Sequence, residues 1–345
     1  MIQKGKINLI VDGQWGSTGK GKLYGYLYNA YKDIDIAVCD FMPNAGHTYV
    51  DDEGHKFISK IIPIGALFPH VKMICIGPHS VFNKNELIKE YETALNWRNC
   101  DLRLMIHPMA TVIDNADIKD EKNNLNHISS TMQGGCSSVI KKMMRDPRKC
   151  YLAKDCKELK KYLVNTQREV QYRIYEGSTV LCETAQGFDL GLNHGFYPYV
   201  TSRDCQIGRI LDNAGGHPKT MGSIIASLRT YPIRVGNTKN GYSGPYYTDQ
   251  KELSWKDISN NIGYDVIERT TVTKRVRRVF TWSNIQISKF MSYCMPDYAF
   301  LNFVNYYPED IREKKINGIK GLLKAYDCKL SLLGTGPKNE DMIKI

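Results

Sequence analysis

Residues 7–22 read INLIVDGQWGSTGKGK, a β-branched apolar run that leads directly into a glycine-rich turn. Apolar residues at helical spacing then follow over 23–31. This order predicts a buried strand, a turn that binds phosphate and a helix. The turn differs from a Walker A motif, because Gly21 follows Lys20 where that motif has a magnesium-binding hydroxyl residue.

Strands and helices alternate along the rest of the chain. Apolar runs predict strands over 34–41, 72–76, 102–106, 179–182, 222–235, 298–304 and 330–333. Helical spacing predicts helices over 85–97, 157–175 and 311–326. This alternation predicts an α/β fold with a mostly parallel central sheet flanked by helices, and we expect 1–345 to form a single domain. The active loops are expected at the carboxyl ends of the strands.

The composition restricts the classes of partner and the cellular location. Lys and Arg number 47 and Asp and Glu 36, and the net charge of +11 favours anionic partners such as nucleotides. The sequence has no apolar run near the roughly 18 residues that a membrane helix needs. Its ten cysteines form no C-x-x-C pair, so we expect reduced core thiols. The expectation is a cytoplasmic protein that binds neither membrane nor nucleic acid.

Ten short motifs in chain order resemble those of the adenylosuccinate synthetases. They are DGQWG at 12–16, GKGK at 19–22, NAGHT at 44–48, IPIG at 62–65, STMQG at 130–134, ETAQG at 183–187, YPYVTS at 197–202, RVG at 234–236, TVTKRVRR at 271–278 and GTGP at 334–337. The resemblance spans nearly the whole chain. It implies a C–N bond-forming ligase that uses Mg²⁺ and acts as a homodimer.

Members of that family join aspartate to C6 of a 6-oxopurine nucleotide in two steps. A nucleoside triphosphate phosphorylates O6, and the aspartate amine then displaces phosphate. The resemblance implies that His47 is the acid beside O6 and that Lys20 meets the transferring phosphate, roles that suit a group titrating near neutrality and a fixed cation. It also implies Ser17 and the Gly46 carbonyl as the magnesium ligands.

The resemblance implies three groups of binding residues. Those for the triphosphate are Gly16, Ser17, Thr18, Gly19, Lys20, Gly21, Gly46, His47, Thr48, Asn305, Gly334, Gly336 and Pro337. Those for the nucleoside monophosphate are Ser17, Asn44, Ser130, Thr131, Gln186, Thr201 and Arg275, with Arg145 reaching in from the neighbouring subunit. Those for aspartate are Thr271, Val272, Thr273, Arg275 and Arg277. The catalytic group would be Ser17, Lys20 and His47.

Ser17 departs from the usual pattern of the family, which has an aspartate there as the base for purine N1–H and as a magnesium ligand. A hydroxyl is smaller, uncharged and a poor base, so it favours a different substrate. Guanine shares O6 and N1–H with hypoxanthine and adds a 2-amino group, which a serine has room to accept. The loop resembles the bacteriophage branch of the family, the 2-aminoadenylosuccinate synthetases, and this implies dGMP as substrate on the way to diaminopurine deoxynucleotides.

Asn305 departs from the family at the base of the phosphate donor. An aspartate there accepts from guanine N1–H and the 2-amino group, whereas an amide complements adenine. ATP or dATP is therefore the expected donor, with L-aspartate as the third substrate. Two other hypotheses stay open: a synthetase that uses IMP and GTP, and a purine-nucleotide-binding protein without catalysis.

Overall fold

A computed structural model describes residues 1–270 and 274–345. The strands are β1 (Ile7–Asp12), β2 (Ile34–Asp40), β3 (His47–Val50), β4 (Lys56–Ser59), β5 (Met73–Ile76), β6 (Val81–Phe82), β7 (Arg103–Ile106), β8 (Thr111–Val112), β9 (Thr179–Thr184), β10 (Met221–Arg229), β11 (Ile233–Arg234), β12 (Glu252–Leu253), β13 (Arg278–Phe280), β14 (Tyr298–Asn302), β15 (Lys329–Gly334) and β16 (Met342–Lys344). The helices are α1 (Lys20–Ala30), α2 (Lys84–Arg98), α3 (Asn115–Asn124), α4 (Gly135–Met144), α5 (Thr166–Tyr175), α6 (Ile207–Asn213), α7 (Trp255–Ile262), α8 (Asn284–Cys294) and α9 (Glu309–Lys324).

Nine of these strands form one central sheet in the order β16-β15-β14-β10-β1-β9-β2-β5-β7. Neighbouring strands pair in parallel throughout, except that β16 runs antiparallel to β15 at one edge. The predicted mostly parallel sheet is confirmed. A smaller antiparallel sheet, β11-β13-β12, lies beyond the end of β10.

Both faces of the sheet are covered, as the apolar character of its strands requires. In β1, Ile7, Leu9 and Val11 face one hydrophobic cluster and Ile10 faces the other. This alternation follows from the period of two along a strand. Helix α1 packs on the second face through Leu23, with α8 on the first.

Two predicted elements are interrupted in the structure. The predicted helix over 157–175 is a 3₁₀ segment, Lys157–Tyr162, followed by α5, because the side chain of Asn165 caps the backbone N–H of Arg168 at 3.0 Å and starts a new helix. The predicted strand over 222–235 divides into β10 and β11. Pro232 stands between them and has no N–H to donate to a ladder, so the chain leaves the central sheet there.

No helix in 1–270 or 274–345 combines the length and apolar character needed to cross a membrane.

Candidate active site

A cavity of ≈ 360 Å³ opens at the carboxyl ends of five neighbouring strands, β14, β10, β1, β9 and β2. Its size lies in the range of small-molecule sites. Residues from the segments that follow these strands line the cavity. In the same strand order they include Phe303, Arg234, Ser17, Gln186 and Asn44. Ligands in parallel α/β sheets bind at this edge, so the cavity lies where the active loops are expected.

Asp12, the last residue of β1, organises the glycine-rich turn. Its Oδ1 accepts hydrogen bonds from the backbone N–H groups of Gln14 (3.0 Å) and Gly16 (3.2 Å). Its Oδ2 accepts from Thr18 Oγ1 at 2.7 Å and from Lys20 Nζ at 2.8 Å. Because one carboxylate holds both ends of the turn, the turn has its shape before a ligand binds.

The glycines of the turn are required by close backbone contacts. Gly19 has a φ of 89°, and a Cβ there would lie 1.9 Å from Asn302 Nδ2. A Cβ on Gly21 would lie 2.3 Å from the Thr48 carbonyl oxygen. The turn therefore leads tightly into α1, whose first N–H groups form the kind of helix start that binds phosphate.

Lys20 is a buried cation of the cavity wall, with a side chain only 3% exposed. Its Nζ donates to Asp12 and also to the Gln186 carbonyl at 2.7 Å. Both contacts fix the ammonium group in place. The structure thus excludes a freely solvated lysine at this position.

Ser17 lies in the cavity in a left-handed conformation, with a φ of 57°. Its Oγ accepts a hydrogen bond from Arg277 Nη1 at 2.7 Å, and its carbonyl accepts from Arg229 Nη1 at 2.9 Å. Arg229 in turn donates to both carboxylate oxygens of Glu268, at 3.2 and 2.5 Å. Two guanidinium groups therefore hold Ser17, one by its hydroxyl and one by its backbone.

His47 opens β3 and is enclosed by aromatic rings. The ring centroids of Phe41 and Tyr24 lie 4.5 and 5.5 Å from that of His47. Burial, and after it the charge of Lys20, lowers the pKa of His47 well below its usual value. The imidazole is therefore neutral at pH 7. The resemblance implies that His47 acts as an acid. For this role, the charge of a nearby phosphate must raise the pKa of the imidazole.

The residues predicted for the monophosphate converge on the same cavity. Asn44, Ser130, Thr131, Gln186 and Thr201 all line it. Gln186 Nε2 donates to Thr201 Oγ1 at 3.1 Å. Within the described part of the chain, the buried Asn44 Oδ1 and Thr131 Oγ1 have no hydrogen-bond partner. Buried polar atoms left unpaired cost about 1–3 kcal/mol each, so both atoms indicate a polar ligand.

Two predicted arginines, Arg145 and Arg275, lie apart from the cavity lining. Arg145 caps α4 with a φ of 57° and is exposed next to the exposed Met143 and Met144. Arg275 donates to the carbonyls of Gly236 (3.2 Å) and Ser129 (3.0 Å), while Arg277 lines the cavity. Of the predicted aspartate-binding residues, Thr271, Val272 and Thr273 fall outside the described ranges.

The predicted triphosphate residues divide into two groups. Gly16, Ser17, Gly19, Lys20, Gly21, Gly46, His47 and Thr48 line the cavity, and Thr18 lies buried beneath the turn. The cavity lining does not include Asn305, Gly334, Gly336 or Pro337. Asn305 Nδ2 donates instead to Tyr264 Oη at 2.9 Å, and the Gly336 carbonyl accepts from Lys22 Nζ at 2.6 Å.

Several cavity residues were not found from the sequence. Glu268 is the one carboxylate among the described residues that line the cavity, and Phe303 lines it with the Arg229 guanidinium 4.2 Å from its ring centroid. Glu268 stands just before the basic segment at 271–278, and Phe303 stands two residues before Asn305. The sequence signal for these two residues was that each lies close to a motif. A glutamate or a phenylalanine does not by itself indicate a functional site.

The model of the family described as adenylosuccinate synthetase matches residues 9–156 and 148–292. The chain belongs to the adenylosuccinate synthetase family. The resemblance inferred from the motifs is thereby confirmed, as is the prediction of a C–N bond-forming ligase.

Within this family the chain is similar to bacteriophage enzymes. The N6-succino-2-amino-2'-deoxyadenylate synthase of Vibrio phage phiVC8 is 39% identical over 346 residues, which cover 97% of each chain. A solved structure of the cyanophage S-2L succinoaminodeoxyadenylate synthetase, bound to dGMP and dATP as an energy donor, matches with a TM-score of 0.88 at 32% identity, covering 98% of this chain and 95% of that one. Fully ligated adenylosuccinate synthetase from Plasmodium falciparum shares the fold, with a TM-score of 0.81 at 19% identity over 99% and 100% of the two chains.

Proposed function

We propose that this protein condenses dGMP with L-aspartate, driven by ATP or dATP, to give 2-amino-2'-deoxyadenylosuccinate. The observation that carries the proposal is Ser17, a small neutral residue in the cavity at the position where the usual synthetase pattern has an aspartate. The hydroxyl leaves room for the guanine 2-amino group and is an acceptor for it. The phage relatives that share the fold, named for the same product, support this assignment.

The first step would be phosphorylation of guanine O6. O6 attacks the γ-phosphorus as the bond from phosphorus to the bridging β-phosphate oxygen breaks, and the N1 proton passes to water, which gives the 6-phosphoryl nucleotide and ADP or dADP. Lys20, fixed between Asp12 and the Gln186 carbonyl, supplies positive charge where phosphoryl charge develops. His47, neutral before binding, lines the same region of the cavity, and among the residues that the structure describes its buried Nδ1 has no hydrogen-bond partner.

The donor set of the cavity fits a magnesium ion that arrives with the triphosphate. Gly46 and Ser17 both line the cavity and carry neutral oxygen donors, which Mg²⁺ accepts beside phosphate oxygens and water. Gly46 would bind through its carbonyl and Ser17 through its hydroxyl. Arg277, which contacts that hydroxyl before substrates bind, would turn to the aspartate carboxylate, so that the two lone pairs of Ser17 Oγ serve the ion and the 2-amino group. When bound, the ion would neutralise charge on the transferring phosphoryl group.

The second step would be attack of the aspartate amine at C6, with loss of phosphate. Arg277 faces the cavity beside Ser17 and is suited to hold an aspartate carboxylate, because a guanidinium binds a carboxylate through two parallel hydrogen bonds. Burial lowers the pKa of Arg277 to about 10, which leaves the group charged at neutral pH. Thr271, Val272, Thr273 and Arg275 remain proposed members of this site.

We also propose that the active form is a homodimer with Arg145 in the neighbouring site. Arg145 is exposed at the end of α4, and the adjacent Met143 and Met144 are 73% and 72% exposed. Methionine pairs exposed to this degree are typical of surfaces that a partner covers. The monophosphate pocket of one subunit would then receive its guanidinium from the other.

Product analysis tests the proposed function. Purified protein would be incubated with aspartate, Mg²⁺ and each pairing of dGMP or IMP with ATP, dATP or GTP, and the product mass would be followed. We expect product from dGMP with ATP or dATP. Turnover of IMP with GTP at an equal or greater rate would favour the usual synthetase, and binding without any product would favour a nucleotide-binding protein.

A further inference from the structure

A buried group of charged side chains lies behind the monophosphate pocket. Arg203 Nη1 lies 3.3 Å from Asp40 Oδ1, and its Nη2 donates to the Asp40 carbonyl at 2.8 Å. Arg209 forms a hydrogen bond to the other carboxylate oxygen of Asp40. Asp204, which follows Arg203 in the chain, binds Asn193 through its carboxylate instead. Two guanidinium groups thus share the Asp40 carboxylate. Against the effect of burial, the charges of Asp40 and, more weakly, Asp204 raise the pKa of Arg209, so Asp204 also belongs to the charge balance.

The cost of this arrangement indicates that it serves more than packing. Arg203 is 8% exposed, and an incompletely neutralised buried charge opposes folding. Burial, followed by the charge of Arg209, lowers the pKa of Arg203 to about 10, so the group stays protonated at neutral pH. Burial alone would raise the pKa of Asp40, but the two arginines lower it. Arg203 therefore stands as a buried cation behind the cavity wall.

Arg203 connects this cluster to the cavity through Gln186. Its Nε donates to Gln186 Oε1 at 3.0 Å. A guanidinium has donors only, so the oxygen of the Gln186 amide must face Arg203 and the NH₂ group must face the other way. There Nε2 meets Thr201 Oγ1 at 3.1 Å, and both residues line the cavity. Arg203 is thus the stronger of two donors that hold the Gln186 oxygen away from the pocket, the other being Cys205 Sγ at 3.8 Å.

We propose that Arg203 is a positioning residue of the monophosphate site, which turns the Gln186 amide donor into the cavity. The ligand class is an anionic purine nucleoside monophosphate. The inference rests on the proposed function, because it assumes that Gln186 contacts the bound monophosphate. Sequence alone gave no sign of this role, because Arg203 follows the motif at 197–202 and its partners Asp40 and Gln186 are distant in the chain.

The decisive variant is Arg203→Met, which keeps the length of the side chain and removes both the charge and the Nε donor. We expect the Kd for dGMP, measured by calorimetric titration, to rise about tenfold or more, as for loss of a charge-assisted hydrogen bond. The KM values for ATP and aspartate should change less than twofold. Arg203→Lys keeps the charge without the fork of donors, and its Kd should lie between those of the wild type and Arg203→Met.

Arg98→Met is the matched control. Arg98 is buried to the same degree, at 6% exposed, but donates to the carbonyls of Ala66, Pro69 and Val71 away from the cavity. This variant should lower the unfolding temperature and leave the Kd for dGMP unchanged. A second comparison is made in the Gln186→Ala background, where adding Arg203→Met should raise the Kd by a smaller factor than it does in the wild type.

The proposal is overturned if folded Arg203→Met binds dGMP as the wild type does, or if all three substrates weaken equally. If Arg203→Met does not fold, Arg203→Lys decides: an unchanged Kd for dGMP overturns the role in positioning Gln186. Failure of the proposed function gives a different result, because wild-type protein would then bind and convert IMP in preference to dGMP. The same variants would in that case be titrated with IMP.

Discussion

At the scale of single residues, Ser17 carries the choice of purine. The larger side chain of Ser17→Asp would crowd the expected 2-amino group, a steric cost greater than the hydrogen bond that a carboxylate accepts, and should lower kcat/KM for dGMP by roughly 30-fold, equivalent to about 2 kcal/mol. Arg277, which donates to the Ser17 hydroxyl at 2.7 Å, can still pair with the new carboxylate, so its contact is not lost. Initial rates with dGMP and with IMP measure the effect.

Ser17→Ala is the control for this substitution, because it removes the hydroxyl without crowding the base. It should weaken dGMP turnover less than Ser17→Asp does. If kcat/KM for dGMP were the same in Ser17→Asp as in the wild type, room for the 2-amino group would not explain the serine at this position.

The residues of the site differ in how far sequence could identify them. The resemblance predicts Ser17, Lys20, Asn44, His47 and Thr131 from contiguous motifs, and the structure brings all five to one cavity. Glu268, Phe303 and Arg203 have partners on other segments of the chain, and no local pattern encodes such contacts. The neutral state of His47 likewise depends on burial that only the folded chain shows.

At the scale of elements, the segment that follows β14 is expected to contact the base of the phosphate donor. We expect Asn305→Asp to shift the ratio of kcat/KM for ATP to that for GTP in favour of GTP, because a carboxylate accepts from guanine N1–H and the 2-amino group and opposes the acceptor N1 of adenine. Asn305 donates to Tyr264 Oη at 2.9 Å, so Tyr264→Phe serves as the control for loss of that contact alone. An unmoved ratio in Asn305→Asp would place the donor base elsewhere.

A buried glutamate joins β9 to the 3₁₀ turn Ile64–Leu67. Glu183 accepts from the backbone N–H groups of Ile64 (2.7 Å) and Gly65 (2.8 Å) and from Tyr28 Oη (2.9 Å). Burial raises the pKa of Glu183 to about 7. The folded state therefore binds a proton that the unfolded chain releases above about pH 4.5, and stability from this group is lost as the pH rises through about 7.

Glu183→Gln removes that titration. Across pH 4.5 to 7.5, the free energy of unfolding of the wild type should fall relative to that of the variant, as measured by urea denaturation at each pH. Parallel pH curves for the two proteins would contradict a raised pKa at Glu183.

Elements with strong local signals were predicted well, and those set by tertiary context were not. The helix predicted over 85–97 is α2, Lys84–Arg98, since Asn83 provides a clear cap. The pattern over 157–175 is amphipathic throughout, yet Asn165 divides it by capping a second helix. At a residue such as Asn165, the chain can either start a new capped helix or continue the preceding one. Packing in the folded protein selects between these two conformations.

At the scale of the whole molecule, the proposed homodimer predicts complementation between two defective subunits. Arg145→Ala would disable the neighbour's site, and His47→Ala would disable its own. A heterodimer of the two has one site with both groups intact. An equal mixture after subunit exchange should therefore recover roughly a quarter of wild-type activity. No recovery, with exchange verified by mass, would contradict a shared site.

The central claim is that the cavity selects guanine over hypoxanthine, and a competition assay measures this selection directly. Equimolar dGMP and dIMP would be incubated together with wild-type protein, aspartate, Mg²⁺ and ATP, and the ratio of the two succinylated products at low conversion gives the ratio of kcat/KM. The two substrates carry the same deoxyribose and differ only in the 2-amino group, so the ratio reports the effect of that group alone. We predict the 2-amino product in excess of about tenfold; equal amounts, or an excess of the product from dIMP, would contradict the account.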